Sequence, residues 1–342
     1  MRIPHRSYKF GKPSLKTVLY IVFSLLILVV IYLFSDATAD RDSASQAYTS
    51  LDLRVAATAS YTGSPIKITS QLGPDHNVRR TVVNFAVPAS GLSEYGLMTT
   101  PTMPAPAGGY PVIILLHGFI QPNAYSTKKA YLPDMEFYSQ HGFAVIKPDL
   151  RGQGLSIHQG KPEGAYYSMA YNTDILSLLA SVEKTPGLNS NNISFWGHSM
   201  GAYLALRAAV LSPDIKNVIL LSGPVAGIKD MYNSYTPRSD VANPVAFSVR
   251  KSVLREHGTP LNNPNFWYSA SPINFLSNTH AFIQIHVGAK DRVVPPKLSA
   301  DLNLALNQLN LPHSYFVYPT GKHGLLAQRS QIYARSLQAL QK

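Results

Sequence analysis

Residues Ile193 to Gly201 read Ile-Ser-Phe-Trp-Gly-His-Ser-Met-Gly, a short apolar run that breaks into a Gly-x-Ser-x-Gly pentapeptide. The helix-forming stretch Ala202 to Leu211 follows without a gap. A strand that turns into a helix through one residue leaves the chain little choice of connection. The serine at the bend must take a strained conformation with its hydroxyl exposed. A Cβ at either glycine would collide with the neighbouring strand or helix. This makes Ser199 a candidate nucleophile.

The surrounding chain supplies the scaffold such a bend needs. Val112 to Leu116 is a continuous apolar run, as expected for a strand buried on both faces of a parallel sheet. Phe143–Ile146, Ile193–Trp196, Val218–Leu221 and Ala281–Val287 are similar. Helical spacing lies between them, at Ile175, Leu178, Leu179 and Val182 and again at Leu298, Leu302, Ala305 and Leu309. Alternating strands and helices predict an α/β class: a mostly parallel, doubly wound sheet with helices on both faces. Ahead of it, Ile66–Ser70 and Arg79–Val87 read as strands, the latter on an antiparallel edge. In such sheets function collects at the carboxyl ends of the strands.

The remaining motifs fall at such ends. A serine attacking an acyl carbon creates an oxyanion that needs two preorganised N–H donors. Met200, directly after the nucleophile, supplies one, and the loop His117-Gly118-Phe119 supplies the other through the Phe119 amide. The His117 side chain is read as a buried brace. Asp291, in Gly288-Ala-Lys-Asp-Arg-Val-Val-Pro295, follows the Ala281–Val287 run. His323 follows Ser314–Tyr318, and Gly324 is expected to make the turn that projects its ring over the sheet. The order Ser199, Asp291, His323 gives nucleophile, orienting carboxylate and general base.

These segments resemble the α/β-hydrolase superfamily. From about Val112 to Lys342 the chain is more specifically similar to the catalytic domain of prolyl oligopeptidase-like serine hydrolases. The likeness is carried by Leu-Leu-His-Gly118, Pro148-Asp-Leu-Arg-Gly-Gln-Gly-Leu-Ser156, Gly-His-Ser-Met-Gly201 and Ser271-Pro-Ile-Asn-Phe275. The segments around Asp291 and His323-Gly324 complete it. The resemblance implies a triad of Ser199, Asp291 and His323, with Phe119 and Met200 as oxyanion donors. Peptidases of that family carry a large N-terminal propeller, for which the stretch between residue 60 and Val112 is too short. No pair of acidic residues matches their clamp for a substrate amino terminus.

Arg151-Gly-Gln-Gly154 reads as a structural turn, Asp174 as a buried hydrogen-bonding residue, and His198 as a residue that shapes the elbow. Residues 224–277 interrupt the alternation with tyrosines, Phe247, Phe266, Trp267 and several prolines. They are read as a lid-like insertion, with a packed surface layer as the alternative.

Composition excludes several classes. With no cysteine there is no disulfide framework, thiolate metal site or cysteine nucleophile. The histidines show no metal-ligand spacing, and neither metal nor cofactor is expected. The net charge of +12 does not point to nucleic acid. Five of its cations, Arg2, Arg6, Lys9, Lys12 and Lys16, precede a charge-free apolar run of 18 residues, Thr17 to Phe34. That pattern predicts a basic cytoplasmic tail (1–16) and a transmembrane anchor (17–34). A linker (35–60) and an extracytoplasmic hydrolase domain (61–342) would follow. The alternative is a signal peptide cleaved near Ala39, releasing a secreted protein.

The sequence therefore predicts a membrane-anchored serine hydrolase, foremost a carboxylesterase acting on small-molecule esters. A peptidase is the second reading, and a catalytically silent hydrolase fold used for binding the third.

Overall fold

The computed structural model describes residues 46–162, 164–235 and 244–341, together with Lys16 and Leu26. The expected anchor over 17–34 lies outside the described residues. Among the described residues no helix is long and apolar enough to cross a membrane.

A compact unit runs from Ala47 onward. This corrects the reading of 35–60 as linker throughout. Asp52 caps α1 (Leu53–Ala56), accepting the Arg54 amide, while Leu51, Leu53 and Ala56 are buried in the main core. Thr173 Oγ1 donates to the Tyr48 carbonyl at 2.8 Å. A few well-spaced apolar residues suffice to dock a Ser/Thr/Ala-rich stretch that shows no periodicity of its own.

The described residues form one nine-stranded sheet in the order β1-β2-β3-β5-β4-β6-β7-β8-β9. Its leading edge is antiparallel: β1 (Lys67–Asp75), β2 (Val78–Val87) and β3 (Leu92–Pro101), with β3 also antiparallel to β5 (Ala144–Pro148). From β5 across β4 (Tyr110–Leu116), β6 (Leu188–His198), β7 (Asn217–Leu221), β8 (Phe282–Gly288) and β9 (His313–Tyr318) every pairing is parallel. The five apolar runs predicted as core strands are β4 to β8.

Alternate residues of these strands feed two cores. Val112, Ile114, Leu116, Phe195, Val218, Leu220 and Ile285 pack against α3 (Ala170–Val182), α4 (Met200–Leu211) and α8 (Pro296–Gln308). Ile113, Leu115, Val145, Trp196, Ile219 and Leu221 face the other way, toward α2 (Leu132–Gln140) and α9 (Arg329–Leu340). Leucines such as Leu115 and Leu116, with no exposed surface, each contribute roughly 2 kcal/mol by leaving water. Strands wanted by both faces cannot alternate with polar residues, which is why they read as unbroken apolar runs.

The described residues of the insertion at 224–277 are largely helical: α5 (Ile228–Ser234), α6 (Pro244–His257), α7 (Pro264–Ser269) and a 3-10 segment, Pro272–Asn278. Val225, Ala226, Ile228, Met231, Trp267, Ala270 and Leu276 join the main core. Much of the insertion is thus packed on the domain. Pro264 and Pro272 start helices instead of breaking them.

Candidate active site

Ser199 sits between β6 and α4 with φ 55° and ψ −119°, a region that costs about 1–3 kcal/mol for a residue with a side chain. Its backbone is held on both sides. The amide donates to the Leu221 carbonyl at 2.8 Å, and its carbonyl accepts the Ala202 amide at 3.0 Å. The two glycines behave as the sequence requires. A Cβ on Gly197 would stand 2.4 Å from the Gly201 oxygen, and one on Gly201 would lie 1.9 Å from the Leu116 oxygen.

His323 Nε2 is 3.0 Å from Ser199 Oγ, and its Nδ1 is 2.8 Å from Asp291 Oδ2. Asp291 keeps its other oxygen for the amides of Val293 (2.8 Å) and Val294 (3.0 Å), so its carboxylate is fixed from both ends. The Asp291 side chain has no exposed surface, while that of His323 is 21% exposed, open enough to meet an incoming molecule. The structure thus brings together three residues separated by up to 124 positions.

The loops carrying the acid and the base are stitched to one another. Lys290 N donates to the Gly321 carbonyl at 2.9 Å and Ala289 N to that of Tyr318 at 2.9 Å. The close approach is allowed by Gly288 and Gly321, where a Cβ would meet backbone at 2.4 and 2.9 Å. Gly324 follows His323 in the expected tight turn, closed by Leu325 N donating to the Lys322 carbonyl at 3.0 Å, although a Cβ there would find only Leu326 at an ordinary 3.6 Å. The left-handed residue in this loop is Leu325, with φ 50°.

The Gly118 backbone lies against the nucleophile, since a Cβ on Gly118 would stand 3.2 Å from Ser199 Cβ. His117 Nδ1 donates to the Gly118 carbonyl at 2.7 Å. Because the peptide is planar, fixing that oxygen also fixes the Phe119 N–H, which points the opposite way. Neither the Phe119 nor the Met200 amide has an acceptor among the described residues. Both are free to serve an oxyanion. Burial, with help from the charge of Lys147, pushes the His117 imidazole down to about 4, so it braces the loop as a neutral ring.

His198 does more than shape the elbow. Its Nδ1 meets the Tyr131 hydroxyl at 2.6 Å, and its Nε2 meets the His323 carbonyl at 3.1 Å. No local pattern in the sequence marks Tyr131, which lies 67 residues away. Asp174 is buried as expected, with Arg151 Nε donating to its Oδ2 at 2.8 Å and Arg151 Nη2 to its Oδ1. Arg151 thereby ties its turn to α3. From the insertion, Tyr235 is buried with its hydroxyl 3.2 Å from that of Tyr166. Burial pushes the Tyr235 phenol up, and the Asp291 carboxylate adds to the effect.

A serine on a strand-to-helix elbow, with its triad partners following β8 and β9 on a mostly parallel sheet, decides the fold. The chain has the α/β-hydrolase fold. A family model described as serine aminopeptidase, S33 (Hydrolase_4), matches residues 110–259 of this chain. The chain is 29% identical over 131 residues to hydrolase LUC6 of a Fusarium species, covering 36% of this chain but only 29% of that protein. Among solved structures it is similar to an acetyl xylan esterase from Paenibacillus sp. R4. That likeness has a TM-score of 0.60 and 18% identity over 80% of this chain and 88% of the esterase. It is also similar to Porphyromonas gingivalis dipeptidyl peptidase 4, with a TM-score of 0.55 and 17% identity over 82% of this chain and 36% of the peptidase.

Proposed function

We propose that this α/β-hydrolase is a serine hydrolase that cleaves carboxylic esters of small molecules through an acyl-enzyme. The observation that carries the reading is the continuous line Ser199 Oγ, His323 Nε2, His323 Nδ1, Asp291 Oδ2, with spacings of 3.0 and 2.8 Å across the ring. Ser199 Oγ attacks the acyl carbon while His323 Nε2 takes its proton. The imidazolium that forms is stabilised by the buried Asp291 carboxylate. The developing oxyanion is received by the Met200 and Phe119 amides. His323 then returns the proton to the leaving alcohol, and water repeats the sequence in reverse to free the acid.

An ester is favoured by the aromatic character of the insertion, in which Trp267 is buried and the Tyr235 hydroxyl lies 3.2 Å from that of Tyr166. The acetyl xylan esterase likeness runs along most of both chains. A peptidase is the second reading, favoured by the serine aminopeptidase description of the matching family model. A purely binding role has little use for a nucleophile, a base and two unengaged amides held together.

The test is labelling of the full chain by a fluorophosphonate, alongside turnover of p-nitrophenyl butyrate. Labelling and turnover should both vanish in Ser199→Ala without loss of fold. Retention of more than a small residue of turnover by Ser199→Ala would overturn the assignment.

For location, the basic residues before Thr17 and the apolar run to Phe34 support an uncleaved anchor with a cytoplasmic amino terminus and the hydrolase outside. Cleavage near Ala39, giving a secreted form, is the alternative.

A further inference from the structure

Tyr131 is the residue before α2 and holds φ 57° and ψ 16°, a left-handed conformation that is strained for a residue with a Cβ. Strain of this kind persists where the surroundings over-determine the backbone. What the conformation accompanies is a hydroxyl in contact with two parts of the active site. The Gly118 amide lies 3.0 Å from it on one side and His198 Nδ1 lies 2.6 Å from it on the other.

The direction of each hydrogen bond is forced. His198 Nε2 meets the backbone carbonyl of His323, which can only accept, so Nε2 carries the proton. In a neutral ring Nδ1 is then the acceptor, and the Tyr131 O–H must donate to it. The lone pair of that oxygen is left for the Gly118 N–H. The chain reads Gly118 N–H to Tyr131 O–H to His198, then His198 Nε2–H to the His323 carbonyl. A protonated His198 would direct a second N–H at the Tyr131 hydroxyl and break it. Burial, reinforced by the neighbouring His323, holds His198 neutral with its ionisation pushed down to about 4.

The two ends of this chain are the segments whose relative placement the chemistry requires. Gly118 directly precedes the oxyanion donor Phe119, and its own carbonyl is already held by His117 Nδ1 at 2.7 Å. The other end is the backbone of the general base itself. Neither Tyr131 nor His198 has a hydrogen bond to a reacting atom of the triad, although the His198 ring lies beside that of His323 with centroids 5.0 Å apart.

We propose that Tyr131 and His198 form a positioning relay that locks the loop of the general base, His323, to the loop of the oxyanion donor, Phe119. The inference rests on the serine hydrolase reading and deepens it. With the relay intact, base and oxyanion hole are set by one hydrogen-bonded chain. Breaking it at any link frees both loops and lowers the chemical step while leaving substrate association alone.

The test uses the full chain with p-nitrophenyl butyrate, following kcat, KM and the thermal midpoint. Tyr131→Phe removes only the hydroxyl and His198→Leu removes the middle link. Each should lower kcat at least about tenfold with KM within about twofold. The double variant should be no slower than the slower single one, because one chain is already broken. His198→Gln presents an amide donor and acceptor in one side chain and should recover most of the loss. The relay is overturned if the two losses multiply, if KM carries the effect, or if Gln serves no better than Leu. A Tyr131→Phe protein as fast as wild type, with Ser199→Ala inactive, would remove the relay alone. Turnover that survives Ser199→Ala would instead remove the reading beneath it.

Discussion

Asp291 Oδ2 stands 2.8 Å from Nδ1 of His323 while Asp291 Oδ1 is held by two backbone amides. The carboxylate therefore has one free direction, and it fixes which ring nitrogen carries the proton. In Asp291→Asn the oxygen stays with the amides of Val293 and Val294 and the new NH₂ faces Nδ1. That nitrogen must then accept, and Nε2 carries a proton that it cannot take from Ser199. A fall in kcat of about 10³- to 10⁴-fold is expected, by analogy with the same exchange in other triads, with the fold unchanged. Steady-state kinetics with a circular dichroism melt would check this, and a loss under tenfold would count against the tautomer argument.

Gly201 has the tightest surroundings at the elbow, 1.9 Å from the Leu116 oxygen for an added Cβ, and both parties are backbone. Gly201→Ala must push α4 away from β4. The expected cost exceeds about 3 kcal/mol, at the upper end for overpacking, and the oxyanion donor Met200 moves with it. Urea denaturation would show the shifted midpoint. A variant with wild-type midpoint and turnover would contradict the packing.

Glu94, on β3, is fully buried against Asp174, with which its carboxyl shares a hydrogen bond, and Arg151 Nε lies 3.9 Å away. Burial first, and then the Asp174 charge, raise its carboxyl well above the ordinary range. The sign follows from the proton count. Below the unfolded value near 4.5 both states hold the proton, and this group's contribution to stability is fully present. As pH rises past that value the unfolded chain releases its proton while the fold keeps it, so stability falls, by up to about 1.4 kcal/mol per pH unit, until the folded value is reached. Glu94→Gln removes that slope. Thermal melts should show the variant gaining on wild type as pH goes from 5 to 8, and an advantage that shrinks over that range would refute it.

Ester and amide cleavage share every residue of the triad, so the choice rests on what positions the leaving group. Amide cleavage needs remote binding energy to hold a poor leaving amine against His323. An aromatic helical insertion suits an apolar acyl or aryl group better than a peptide backbone. For short or medium alkyl esters kcat/KM should exceed that for any peptide amide at least about a hundredfold, roughly 2.7 kcal/mol of transition-state stabilisation. A peptide amide cleaved as fast as the best alkyl ester would turn the assignment toward a peptidase.

The proposed topology has a direct readout. Protease added to intact cells should digest the domain beyond Ser60 and spare a tag placed before Lys9. A protected domain would reverse the orientation, and a soluble product starting near Asp40 would identify the cleaved form.

Much of this could be read from sequence because parallel strands and their terminal loops are local signals. Val112–Leu116 shows itself by being apolar on both faces, and Ser199 by the two glycines that its neighbours require. What escaped was set by distant partners. Beside the local turn at His323-Gly324, nothing in the sequence marks the close approach of Gly321 and Gly288, each crowded by the other's loop. Tyr131 carries no mark because its role comes from Gly118 and His198 arriving beside it. Leu51, Leu53 and Ala56 resembled linker because a short docked segment needs only a few apolar contacts. The insertion gave no helical period because its helices bury different faces against different neighbours.

The order of the triad along the chain has a consequence in time. Synthesis runs from the amino end, and Ser199 is made 124 residues before His323. A nascent chain that has grown past β7 owns the nucleophile and the elbow but neither the base nor the carboxylate that orients it. Even with β8 and Asp291 in place, the hydroxyl has no proton acceptor until β9 pairs along β8 and brings its following loop across. Hydrolytic competence is therefore withheld until the last parallel strand has docked. In a domain that crosses a membrane before folding, this activity would be born only on the far side.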